Sequence, residues 1–82
     1  MASPASAAQP KASPLTILIV DDSPEDRAVY IRLLSQDRRH EYRFLETGLG
    51  EEGLRIGREE RPDCLLLDYR LPDLDGLEFL SL

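Results

Sequence analysis

Basic residues are scarce in this chain and nearly all of one kind. Ten Lys and Arg stand against 16 Asp and Glu, giving a net charge of −6 over 82 residues. The one lysine is Lys11. Such a chain has no basic face for a polyanion, which argues against nucleic-acid binding. The single cysteine, Cys64, excludes an internal disulfide and fits a reducing cytosol. No apolar run approaches the roughly 18 residues that span a bilayer. Residues 1–14 lack the basic start and apolar stretch of a signal peptide. The length allows one domain, in the range where burial is marginal. The expectation is a cytoplasmic protein without nucleic-acid or membrane partners.

What is present is a set of short apolar runs ending in acids. Residues 1–14 form an Ala/Ser/Pro leader with three prolines and nothing to bury, so disorder is expected there. Leu15 to Val20 is a continuous apolar run, which suggests a strand covered on both faces. Asp21 and Asp22 end it. Ser23 can cap a helix, Pro24 suits its first position, and Asp26 completes a capping-box-like pattern. The spacing of Ala28, Val29, Leu33 and Leu34 predicts a helix from Pro24 to about Gln36. A second strand is expected over Tyr42 to Thr47, and a second helix from Glu51 to about Glu59. Gly53 and Gly57 weaken that helix or mark close packing against the sheet. A third strand is expected from Asp63 to Asp68. A loop built on Pro72-Asp73 and Asp75-Gly76 follows, then the first turns of a third helix from Leu77. The order β-α-β-α-β-(α) implies a parallel sheet with right-handed crossovers, a doubly wound α/β fold.

In such sheets, ligands bind outside the carboxyl ends of the strands. Asp21, Asp22 and Asp68 all fall there. Three carboxylates held together repel one another unless a cation compensates. Hard oxygen donors with few protein contacts suit Mg²⁺, which keeps several waters. A carboxylate beside such a metal can attack a phosphoryl group and form an acyl phosphate. One division of roles has Asp22 ligating directly and Asp21 through water. Asp68 then ligates and accepts the phosphoryl group. The backbone carbonyl of Arg70 could add another oxygen.

Val20-Asp21-Asp22-Ser23-Pro24-Glu25-Asp26, taken with Leu65-Leu66-Leu67-Asp68-Tyr69-Arg70-Leu71-Pro72-Asp73-Leu74-Asp75-Gly76, resembles the receiver domain of two-component response regulators. The family has an acid pair after its first strand and an Asp after its third. It also has a Pro four and a Gly eight positions beyond that Asp, here Pro72 and Gly76. The resemblance covers residues 15–82. It implies a flavodoxin-like, receiver (CheY-like) fold with strand order 2-1-3-4-5, of which this chain holds βαβαβ and the start of a third helix. It further implies a bacterial phosphorelay. A sensor histidine kinase or phosphotransfer protein would donate to Asp68, with Mg²⁺ as cofactor. On this reading the chain is a phosphoacceptor and not an enzyme.

The family's later strands carry a Ser or Thr and a Lys that contact the phosphoryl group, and neither lies within residues 15–82. The expectation is therefore a partial receiver whose third strand is an exposed apolar edge and whose isolated fold is marginal. A second reading stays open: a truncated, phosphorylation-incompetent interaction module that docks through its first helix. A third, a phosphohydrolase with two aspartates one residue apart, meets Arg70 where the second aspartate belongs.

Blander readings apply to single residues. Asp68 could be a solvent-facing strand end, and Asp21 a helix cap in competition with Ser23. Asp73 and Asp75 read as turn formers, Cys64 as a small core residue, and His40 as a solvated loop histidine.

Overall fold

The computed structural model describes residues 14–81. The leader expected over residues 1–14 lies outside them but for Pro14, and Leu82 lies outside as well. The elements are β1 (Leu15–Val20), α1 (Pro24–Ser35), β2 (Tyr42–Thr47), α2 (Gly50–Glu60), β3 (Cys64–Leu67) and α3 (Gly76–Ser81). The three strands form one parallel sheet in the order β2-β1-β3. The flavodoxin-like α/β arrangement expected for the first three strands is therefore present.

The central strand is covered on both faces, as its unbroken apolar run requires. Ile17, Leu18, Ile19 and Val20 are buried, the last two completely. Each such side chain stabilises the fold by about 2 kcal/mol. Leu18 and Val20 face one side, where they pack with Leu74 and with Phe79 of α3. Ile17 and Ile19 point to the opposite face. There Tyr30, Leu33 and Leu34 of α1 border an open groove with Ile17, Cys64 and Leu66.

That groove corrects one expectation. Cys64 is exposed rather than a core residue. It opens a strand whose only hydrogen-bonded neighbour among the described residues is β1. Helix α1 also buries no residue, and Leu33 is 57% exposed. Helical spacing identifies the apolar stripe of a helix, not what covers it.

The ends of the helices show how local chemistry sets them. In α1 the Ser23 hydroxyl accepts the Asp26 amide at 3.2 Å, and Pro24 opens the first turn. The N-cap residue of helix α2 is Leu49, which has no side-chain cap to offer. Asp73 supplies one from the far loop, accepting the Gly50 amide at 2.7 Å and the Glu51 amide at 2.9 Å. Asp73 is thus a long-range helix cap rather than a turn former alone. Asp75 and Glu78 cap α3 reciprocally. The Asp75 amide donates to Glu78 Oε1 at 3.0 Å, and the Glu78 amide to Asp75 Oδ1 at 2.9 Å. Arg61 closes α2 in the left-handed region, with φ 50°, ahead of Pro62.

The Glu51 and Gly50 amides hold the Asp73 carboxyl below its ordinary range. A depressed folded-state pKa stabilises the fold above the unfolded value, about 4. That stabilisation is lost as pH falls through the lowered folded value. Asp73→Asn is therefore expected to lower Tm at pH 7, with the difference from the parent chain vanishing in acid. Thermal unfolding of both chains across pH 7 to 2 checks this. A pH-independent difference would assign Asp73 no electrostatic role.

Candidate metal and phosphoacceptor site

The parallel register makes the carboxyl ends of the strands level. Val20 pairs with Thr47 on one side and with Leu67 on the other. The ladder continues one residue further on each side. The Asp21 amide donates to the Thr47 carbonyl at 3.0 Å, and the Asp68 amide to the Val20 carbonyl at 2.8 Å. Asp68 is therefore bonded to the residue just before Asp21. Two acids far apart in sequence become neighbours through strand pairing alone.

Asp21, Asp22 and Asp68 each offer a carboxylate oxygen, and these oxygens lie within 4.8 Å of one another. Asp21 is buried, Asp68 half-buried and Asp22 exposed. The Asp21 carboxylate is oriented by the Ser23 amide, which donates to Oδ1 at 2.9 Å. The Arg70 amide donates to Asp68 Oδ1 at 3.3 Å. Arg70 thus meets Asp68 through its N–H, and an isolated antiparallel bridge pairs it with Asp75. The Gly76 amide closes the same loop onto the Tyr69 carbonyl at 2.6 Å. A Cβ on Gly76 would lie 3.2 Å from Tyr69 Cα, which is why that turn takes a glycine.

A cleft of about 310 Å³ opens beside the acids, lined by Asp21, Tyr30, Leu66, Leu67, Asp68 and Tyr69. Tyr30 was not singled out in the sequence. Its phenol is pushed above the ordinary range, first by desolvation and then by the charges of Asp21, Asp26 and Asp68. Arg27 also borders the site. Its guanidinium donates to the Asp21 carbonyl and, through Nε, to Glu46 Oε1 at 3.1 Å. Arg27 stands six residues after Asp21, on the first turn of α1, where it can reach back to the strand exit. That spacing was the available signal.

Among the described residues, no arginine or histidine makes an ion pair with Asp21, Asp22 or Asp68. Three converging carboxylates without a protein counter-charge fit a small, hard divalent cation.

The model of the response regulator receiver domain matches residues 17–82. The chain belongs to the response regulator receiver family. This receiver is 44% identical over 74 residues to the protein-glutamate methylesterase/protein-glutamine glutaminase of Desulfitobacterium hafniense, a match covering 89% of the chain and 18% of that relative. It is 36% identical over 62 residues to Protein PilH of Pseudomonas aeruginosa, covering 76% of the chain and 49% of PilH. Among solved structures it resembles the N-terminal domain of a response regulator receiver protein from Methanoculleus marisnigri. That match has a TM-score of 0.72 and 38% identity, and covers 84% of this chain and 54% of that one. A signal receiver domain from Vibrio parahaemolyticus, 22% identical with a TM-score of 0.75, shares the fold; the match covers 84% of this receiver and 51% of that chain. The receiver therefore spans about half the length of these solved domains, and 18% and 49% of the two curated relatives.

Proposed function

We propose that this receiver accepts a phosphoryl group on Asp68 from a phosphohistidine of a sensor histidine kinase or phosphotransfer protein. The observation that carries the reading is the convergence of Asp21, Asp22 and Asp68 at the carboxyl edge of the sheet. An Asp68 oxygen attacks phosphorus, forming a P–O bond as the P–N bond to histidine breaks. The donor imidazole leaves with the electron pair of that bond and takes up a proton. Asp21, Asp22, Asp68 and the backbone carbonyl of Arg70 would hold Mg²⁺. When bound, that ion supplies neutralisation of charge on the transferring group. Asp68 is held for attack at both ends, its own amide fixed to Val20 and its Oδ1 met by the Arg70 amide. Leu66, Leu67 and Tyr69 line the cleft beside it. The chain acts as a substrate of its donor rather than as an enzyme. Phosphorylation would change the surface shown to an output partner. No described helix is long and apolar enough to cross a membrane, and a cytoplasmic site of action follows from the proposed donor.

The competing reading, an interaction module that takes no phosphate, draws support from one observation. No described arginine makes an ion pair with Asp68. Incubation with acetyl phosphate and Mg²⁺, followed by intact mass, separates the two. A single phosphate adduct that requires Mg²⁺ is expected. Mg²⁺ binding without an adduct would favour the interaction module.

A further inference from the structure

Arg27 lies at the acid pair without neutralising it. Its side chain is only 18% exposed. One nitrogen, Nη1, donates to the Asp21 backbone carbonyl, and Nε donates to Glu46 of β2. The guanidinium also lies against Gly48, where an added Cβ would stand 3.4 Å from Arg27 Nη1 and 3.4 Å from Asp22 Cα. A single side chain therefore ties together the exit of β1, the end of β2 and the turn that follows β2. It forms no ion pair with any of the three carboxylates. Its counter-charge is Glu46, which faces Ile19 across the ladder.

We infer that Arg27, held by Glu46, is a positioning residue that fixes the Asp21–Asp22 backbone so that both carboxylates converge with Asp68 on a divalent cation. This rests on the phosphoacceptor reading. The planar fork of arginine suits the task, because two of its N–H groups can serve two acceptors at a fixed angle. A lysine carries the same charge on one compact ammonium and cannot span both in that geometry.

The two roles open to Arg27 differ in sign. If only its charge mattered, removing it would tighten binding of a cation. If it positions the acid pair, removing it weakens binding. Outer-shell partners of metal ligands typically contribute 10- to 100-fold in affinity, so a loss of about tenfold is the expected scale. Arg27→Ala, Arg27→Lys and Glu46→Gln are to be titrated with Mg²⁺ alone by calorimetry on the 82-residue chain. All three should weaken binding, Arg27→Lys despite its retained charge. Thermal unfolding in EDTA separates this from a general loss of stability. The positioning role predicts that Mg²⁺ raises Tm less in each variant than in the parent chain. Should Arg27→Ala fail to fold, the lysine variant and Glu46→Gln carry the test. Parent-like or tighter Mg²⁺ binding in the folded variants would overturn the role of Arg27 and leave the phosphoacceptor reading standing. No Mg²⁺ binding by the parent chain would overturn both.

Discussion

Asp68→Asn is expected to reduce the phosphate adduct formed with acetyl phosphate and Mg²⁺ to background. Asparagine keeps the shape of the side chain and its carbonyl oxygen, so the Arg70 amide at 3.3 Å retains an acceptor. The bond from the residue-68 amide to the Val20 carbonyl is a backbone bond and survives. What disappears is the charged oxygen that attacks phosphorus. One of three anionic donors to the metal goes with it, so Mg²⁺ affinity should fall as well. The variant should nonetheless fold, and its Tm in EDTA should equal or exceed that of the parent, because a like-charge repulsion has been removed. The two readouts therefore move in opposite directions. An adduct of parental yield in Asp68→Asn would place the phosphoryl group elsewhere, with exposed Asp22 the first position to map.

Much of this site could be read before any coordinates, for a physical reason. A parallel sheet brings its strand exits to one edge, so acids that end apolar runs must meet there. The runs Leu15–Val20 and Tyr42–Thr47 form strands with the expected bounds. The expected strand over Asp63 to Asp68 is shorter, Cys64–Leu67, although Asp63 and Asp68 each add one hydrogen bond to β1. The start of α1 was legible because its cap, Ser23, is local.

The features missed all depend on residues distant in sequence. The cap of α2 comes from Asp73, more than 20 residues beyond the helix start, and nothing near Leu49 announces it. Arg27 looks like any charge on a helix until Glu46 and the Asp21 carbonyl are seen beside it. The exposure of Cys64 and Leu33 depends on what lies over the α1 face, and local pattern does not report that. His40 is exposed in the connection between α1 and β2, as expected of a loop histidine, and its Nδ1 lies 3.3 Å from Asp37 Oδ2. There it joins Arg39 and Tyr42 around one carboxylate.

Gly53 and Gly57 lie one turn apart on α2, and the sequence offered the same two explanations for each. The structure separates them and predicts opposite signs for one substitution. A Cβ at Gly53 would stand 2.8 Å from Val20 Cγ2, 3.1 Å from Val20 Cγ1 and 3.2 Å from Phe79 Cε2. Val20 is fully buried in the central strand and cannot withdraw. Overpacking of this kind typically costs about 1–3 kcal/mol, against roughly 1 kcal/mol gained by replacing a helical glycine with alanine. Gly53→Ala should therefore destabilise the chain by up to about 2 kcal/mol. A Cβ at Gly57 meets only Leu18 Cδ2, at 3.8 Å, an ordinary contact. There the propensity gain stands alone, and Gly57→Ala should stabilise by up to about 1 kcal/mol. Urea unfolding of the two variants beside the parent measures the difference directly. Two shifts of the same sign would show that α2 does not sit against Val20 as closely as the Gly53 contacts require. Those contacts also bear on the site, because the same Val20 presents its carbonyl to the Asp68 amide. A larger residue at position 53 that forces β1 outward should then reduce Mg²⁺ affinity as well as stability, whereas alanine at position 57 should leave Mg²⁺ affinity unchanged.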